Sequence, residues 1–165
     1  IQRVVVIGLG SMGAPVVAFC RIDDRNIRLR EPILQPDALI VQDPTLLHQV
    51  ELFSGLVRTG YLLINTARTF EELGIGDFAA GLGAGHSCTV PATELALHHV
   101  GRPVPNAALL GGFAALTRRI SIDAVNASIR DKFGPKIAAG NVAAASEAYQ
   151  HVMRELQETA RAQAN

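Results

Sequence analysis

The chain has 165 residues, enough for one domain with a real core, and its 15 basic and 15 acidic side chains cancel to a net charge of zero. With 48% apolar and 18% charged residues, the composition argues against both disorder and a nucleic-acid partner. So neutral a chain has little repulsion to keep copies or partners apart, so an assembled state is expected.

Residues 3–7 are a β-branched run that stops at Gly8, as a buried strand leaving into a tight turn does. Gly8, Gly10 and Gly13 then spell G-x-G-x-x-G, a string that resembles the cofactor loop of β-hydroxyacid dehydrogenases. That loop works only when a helix begins at its third glycine, because the free N–H groups of the helix hold a pyrophosphate. Val16, Val17 and Phe19 favour a strand instead, and Asp23-Asp24 turns the chain too early for a parallel crossover. A stand-alone NAD(P) hydroxyacid dehydrogenase is therefore the minor alternative, though Gly8 and Gly10 remain candidates for a backbone-close phosphate surface.

Further along, residues 16–20 are expected to form a hairpin with the alternating residues 27–30. Residues 38–41 read as a strand. Asp43 as N-cap and Pro44 at the first helical position then predict a helix over 44–58, with Leu46, Val50, Phe53 and Val57 on its apolar face. Residues 61–64 follow as a parallel strand. Residues 70–85, rich in glycine and alanine, read as a loop with at most one helical turn at Glu71-Glu72. After residues 87–90 and Pro91, the remainder to 162 reads as three or four helices, broken at Gly101-Arg102-Pro103 and Gly134-Pro135. In the last of them Ala138, Val142, Ala145, Tyr149, Val152 and Leu156 make a narrow seam that requires a partner helix, from another subunit or from its own domain. The fold class expected is α/β: an open, mainly parallel sheet with flanking helices and a helical C-terminal end, a single domain over residues 1–165.

Other combinations carry little chemistry. Cys20 and Cys88 lack the spacing of a zinc or iron–sulfur site. Glu94 and His98 share a helical face with His99 beside them, but lack the H-E-x-x-H pattern and a third ligand. His86, Ser87 and Asp77 lack the G-x-S-x-G elbow of a hydrolase. No apolar run approaches the roughly 18 residues of a membrane span, and no basic-then-apolar leader precedes the first strand, so the expectation is a cytoplasmic chain without membrane contact.

From Gly13 onward the sequence resembles the gamma subunit, or equivalent domain, of the 2-oxoacid:ferredoxin oxidoreductases, whose members use pyruvate, 2-oxoglutarate, indolepyruvate or phenylglyoxylate. The residues that carry the resemblance are Gly13-Ala-Pro-Val-Val-Ala-Phe19 with Arg21, Pro36-Asp37, Asp43-Pro44-Thr45-Leu46-Leu47 and Leu63-Ile-Asn-Thr66. They continue through Pro91-Ala-Thr-Glu-Leu-Ala96, Gly101-Arg-Pro-Val-Pro-Asn106 with the stretch to Gly111 and Phe113, and residues 141–149. The family has a helix and a further strand before the segment matching Gly13, so Gly10-Ser11 is read as a junction where some forty residues are absent.

The resemblance implies oxidative decarboxylation of a small-molecule 2-oxoacid to an acyl-coenzyme A. Thiamine diphosphate, magnesium and iron–sulfur clusters would sit in partner subunits of alpha, beta and delta type, coenzyme A would be a co-substrate, and this chain would bind no cofactor alone. It implies no catalytic residue and no metal ligand here. The candidate cofactor-binding residues are Gly8, Gly10, Asn65, Thr66, Arg68, Arg102 and Asn106. Asn65-Thr66 end a parallel strand where α/β sheets place ligands, and Asn106 starts a helix. The two arginines suit phosphates, whereas both asparagines also suit plain capping roles. A non-catalytic coenzyme A or nucleotide-binding module is the remaining alternative.

Overall fold

The computed structural model describes residues 2–10, 13–48 and 51–164, except for the side chain of Gln163. A five-stranded sheet runs in the order β2-β1-β3-β4-β5, built from β1 (Arg3–Leu9), β2 (Pro15–Arg21), β3 (Ala38–Val41), β4 (Tyr61–Asn65) and β5 (Ser87–Val90). All neighbours are parallel except β2, which runs antiparallel to β1 along one edge. The expected α/β class is what the chain adopts.

Strand alternation divides the core in two. On one face Val4, Ile40, Leu63 and Val90 pack under the helices α2 (Ala92–Val100), α3 (Asn106–Thr117) and α5 (Pro135–Ala164), through Ala108, Phe113, Ala148 and Val152. On the other, Val5, Leu39, Val41, Leu62 and Ile64 meet Ile33, Leu46, Leu52, Leu73 and Leu82. These come from the connections, Leu82 standing at the C-cap of the short helix α1 (Gly76–Gly81), whose Phe78 also packs against them. A third cluster, with Val125 and Ile129, seats α4 (Ile122–Lys132) against α3 and α5, away from the sheet.

The expected helical tail is present, with α2 ending at a left-handed Gly101 and α5 opening on Pro135. Three local expectations are corrected. Residues 16–20 pair not with 27–30 but with β1, Val16 opposite Gly8 and Cys20 opposite Val4; residues 27–30 are exposed and unpaired. The helix over 44–58 shrinks to a 3-10 turn, Pro44–His48. Gly55 stands at φ +83°, and a Cβ there would lie 1.9 Å from the Leu34 carbonyl oxygen, so a helix cannot run through it; Val50 lies outside the described residues. The stretch 70–85 contains α1 rather than loop alone.

The α5 seam is also resolved. Ala138, Ala145 and Val152 are fully buried, and Val142, Tyr149 and Leu156 partly so, against the helices and sheet of the same domain. An inter-subunit partner is not needed to cover it.

Asp37 ties the sheet together at the end opposite the strand C-termini. Its carboxylate accepts from the backbone N–H of Gln2 and of Arg3, both at 2.9 Å, and pairs with the Arg3 guanidinium at 2.6 Å. Partial burial acts to raise its pKa, but the Arg3 side-chain bond, the two backbone bonds and the Arg3 charge outweigh this, lowering it from 3.8 to about 2. A carboxylate whose folded pKa is depressed contributes stability above its unfolded pKa and loses it as pH falls through the folded value. With Arg3 36% exposed, screening reduces the contribution to about 1–2 kcal/mol. Asp37→Asn should therefore be less stable than the parent by that amount at pH 7 in urea unfolding. The difference should close between about pH 4 and pH 2.

Candidate functional site

The parallel strands β1, β3 and β4 end side by side, and the residues just beyond them carry the polar side chains. Gln42, directly after β3, connects three of the candidates. The Asn65 side-chain amide donates to the Gln42 carbonyl at 2.9 Å, and the Gln42 side-chain amide donates to Asn106 Oδ1 at 3.0 Å. Gly8 lies beneath: a Cβ there would come within 2.7 Å of Gln42 Oε1. The bare backbone of Gly8 is thus used to seat Gln42.

Asn65 is 7% exposed and its amide is saturated. Besides Gln42 it donates to Thr93 Oγ1 at 2.8 Å and accepts from the Thr93 backbone N–H at 3.1 Å. It thereby bonds a free donor in the first turn of α2, whose N-cap, Pro91, has no side-chain bond to offer. Asn106 does not cap α3, where Pro105 occupies that position without a side-chain bond. It is exposed and turned toward Gln42.

The remaining candidates separate. The Thr66 backbone N–H donates to the carbonyls of Ile64 and Val90, and its hydroxyl accepts from the Arg68 N–H at 3.1 Å. Arg68 is exposed and its guanidinium donates to the Glu72 carbonyl, fastening the 69–74 turns. Gly10 flanks the β1–β2 connection, its N–H bonded to the Ala14 carbonyl at 2.8 Å. Gly13 takes φ +74° and leads into strand β2, so no helix follows the third glycine. The Gly10-Ser11 junction lies partly outside the described residues, as Ser11 and Met12 are not among them.

Arg102 and Asn106 are brought together with groups that the sequence did not single out. They line a cavity of about 720 Å³ between the α2–α3 connection, α4 and α5. Its walls include Val104, Leu110, Ile129, Phe133 and Ile137, and its basic groups are Arg102, Lys132 and Lys136. An apolar wall with cations suits a ligand that has phosphate at one end and an uncharged chain at the other. Lys132 and Lys136 straddle the helix break at Gly134-Pro135, and only the fold brings them into one cavity with Arg102. Gln42 carried one sequence signal that was available: it directly follows a parallel strand.

Metal and hydrolase readings gain nothing. Among the described residues no three His, Cys, Asp or Glu side chains are grouped to hold a metal. Cys20 is exposed on β2 and Cys88 buried on β5, the two opposite edges of the sheet, so these thiols cannot converge on one iron–sulfur cluster. Burial, then the Glu155 charge, pushes the Cys88 thiol up to about 12. His99 pairs with Glu147 of α5 at 2.5 Å, while His86 stacks on Tyr61. No helix among the described residues is long and apolar enough to cross a membrane.

Comparison with known proteins shows the family and the fold of the chain. Residues 2–151 match the pyruvate ferredoxin/flavodoxin oxidoreductase family. Pyruvate synthase subunit PorC of Methanocaldococcus jannaschii is 40% identical over 147 residues, 89% of this chain and 77% of that protein. The common gamma subunit of the pyruvate/ketoisovalerate oxidoreductases of Thermococcus litoralis is 36% identical over 152 residues, 91% of this chain and 80% of that one. The crystal structure of pyruvate oxidoreductase subunit PORC from Thermotoga maritima superposes with a TM-score of 0.71 at 31% identity, over 88% of this chain and 77% of the other. The chain therefore belongs to the pyruvate ferredoxin/flavodoxin oxidoreductase family, whose relatives here are gamma-type and PorC subunits of oxidoreductase complexes.

Proposed function

We propose that the chain serves as the gamma-type subunit of a thiamine diphosphate-dependent 2-oxoacid oxidoreductase, acting with alpha-, beta- and delta-type subunits and inactive alone. The reaction converts a 2-oxoacid and coenzyme A into an acyl-coenzyme A and carbon dioxide, releasing two electrons and two protons. The observation that carries this reading is the family match across residues 2–151, with relatives that are subunits of pyruvate-using complexes. Thiamine diphosphate, held with its magnesium by other subunits, supplies the carbanion chemistry when bound, and iron–sulfur clusters in other subunits take the electrons.

The part left to this chain is binding and closure. Coenzyme A fits the residues present: Arg102, with Lys132 and Lys136, would hold its phosphates, and Leu110, Phe133 and Ile137 would flank its pantetheine arm. Asn106, fixed by Gln42, would offer its amide to the same ligand. Asn65 and Thr66 act indirectly, by anchoring α2 and the end of β4. Arg68, engaged with Glu72, supports its turn.

Affinity purification of the tagged chain from its native host should bring down larger thiamine-binding and cysteine-rich chains in fixed ratio, with the visible absorption of iron–sulfur clusters. In that complex Arg102→Gln should raise KM for coenzyme A by about tenfold, the loss of one charge-assisted contact, with little change in kcat. Recovery of the chain alone and colourless would remove the subunit reading.

A further inference from the structure

Among the described residues strand β2 has no neighbour on its outer side in the sheet, and its residues are exposed on both faces. Its register against β1 fixes which backbone groups face outward. Gly10 N–H donates to the Ala14 carbonyl and Ile22 N–H to the Gln2 carbonyl, and antiparallel ladders alternate. Val16, Ala18 and Cys20 therefore bond β1, while Val17, Phe19 and Arg21 direct N–H and C=O away from the sheet and Pro15 a carbonyl alone. Val16 is 51% exposed, and Val17 and Phe19 are each 46% exposed. Edge strands are ordinarily blunted by charges, bulges or internal proline, but β2 has no charged residue before Arg21.

We propose that β2 pairs with β2 of a second copy of this chain, antiparallel about a twofold axis at Ala18, joining two five-stranded sheets into one. The strand is self-complementary in that register. Val17 falls opposite Phe19 of the other copy, and Val16 opposite Cys20, so apolar side chains meet on both faces. Arg21 falls opposite Pro15, so like charges do not meet and the missing proline N–H faces a carbonyl at the rim. Six backbone hydrogen bonds form: four between Val17 and Phe19, and two from Arg21 N–H to the Pro15 carbonyl. The neutral chain adds no long-range repulsion against a copy of itself. This inference rests on the strand geometry and stands apart from the coenzyme A reading.

Register can be read by cross-linking the chain as isolated from its host, with whatever subunits accompany it. Ala18→Cys with Cys20→Ser places two thiols on the axis, opposite each other in a non-hydrogen-bonded pair with Cα atoms about 4.5 Å apart, a separation a disulfide spans. Mild oxidation should give a covalent dimer of this chain, and Val16→Cys with Cys20→Ser should not. Val17→Pro removes only an outward N–H, so it should weaken dimerisation at least tenfold in sedimentation while circular dichroism is retained. A parent chain that stays monomeric at every concentration, equal cross-linking at positions 16 and 18, or cross-linking of position 18 to a different polypeptide would overturn the proposal.

Discussion

Gly111→Ala should destabilise the chain by about 3 kcal/mol, while Gly112→Ala, one position on, should leave it unchanged or slightly more stable. A Cβ on Gly111 would lie 2.0 Å from the carbonyl oxygen of Ala145 and 2.9 Å from its Cα. Those are backbone atoms of α5, which cannot rotate out of the way, so α3 and α5 would have to separate. The two helices form the most extensive packing in the molecule, and separating them loosens Phe113, Ala148 and Val152 in the core between them and the sheet. The helix-propensity gain of replacing glycine, about 1 kcal/mol, offsets only part of this. A Cβ on Gly112 instead meets Leu63, Val152 and Val90 side chains at 3.4–3.5 Å, which is ordinary contact. Chemical denaturation of the two variants side by side separates steric exclusion from helix propensity, because both remove a glycine from the same helix.

Asn65→Leu should cost a similar amount, about 3 kcal/mol, by a different route. The side chain is nearly isosteric, but the Gln42 carbonyl, the Thr93 hydroxyl and the Thr93 N–H each lose a partner. A buried polar group left unpaired costs about 1–3 kcal/mol, and partial access to water at Thr93 keeps the sum near the lower end. For a domain of this size the melting temperature should fall by about 6–12 °C. Thr93→Val removes only the hydroxyl, so combining the two should be less than additive. Additive losses in the double variant would show that the Asn65–Thr93 contact does not carry the effect. Because α2 leads into the Arg102 wall of the cavity, the same variant should also weaken coenzyme A binding in the assembled complex, in step with its loss of stability.

Much of the molecule was legible because its signals are local. The β-branched run into Gly8, the apolar strands before Gln42 and at 61–64, and the Gly101 and Gly134-Pro135 breaks are recorded in short stretches of sequence, as is the text around Gly13-Ala-Pro15 that carries the family likeness. Composition likewise fixed a chain with no net charge. The absence of a helix after Gly13 was also a local matter, since Val16, Val17 and Phe19 have strand preference, and β2 follows it.

What tertiary structure decided was pairing and proximity between distant segments. The alternation at 27–30 looked like the mate of 16–20, yet β1 won the seven-residue ladder, because its register uses backbone groups that a periodicity argument does not count. The helical spacing of Leu46, Phe53 and Val57 was real but overridden, since Leu34 approaches Gly55 where a helix would need room. Gln42 over Gly8, and Lys132 and Lys136 in one cavity with Arg102, come together only when strands and helices separated by tens of residues pack. Sequence alone determined the elements that short-range sterics and hydrogen bonding specify and the family they spell. The folded chain determined which edge is open, which asparagine is saturated and which cations share a cavity, because those depend on burial and on register between segments far apart in the sequence.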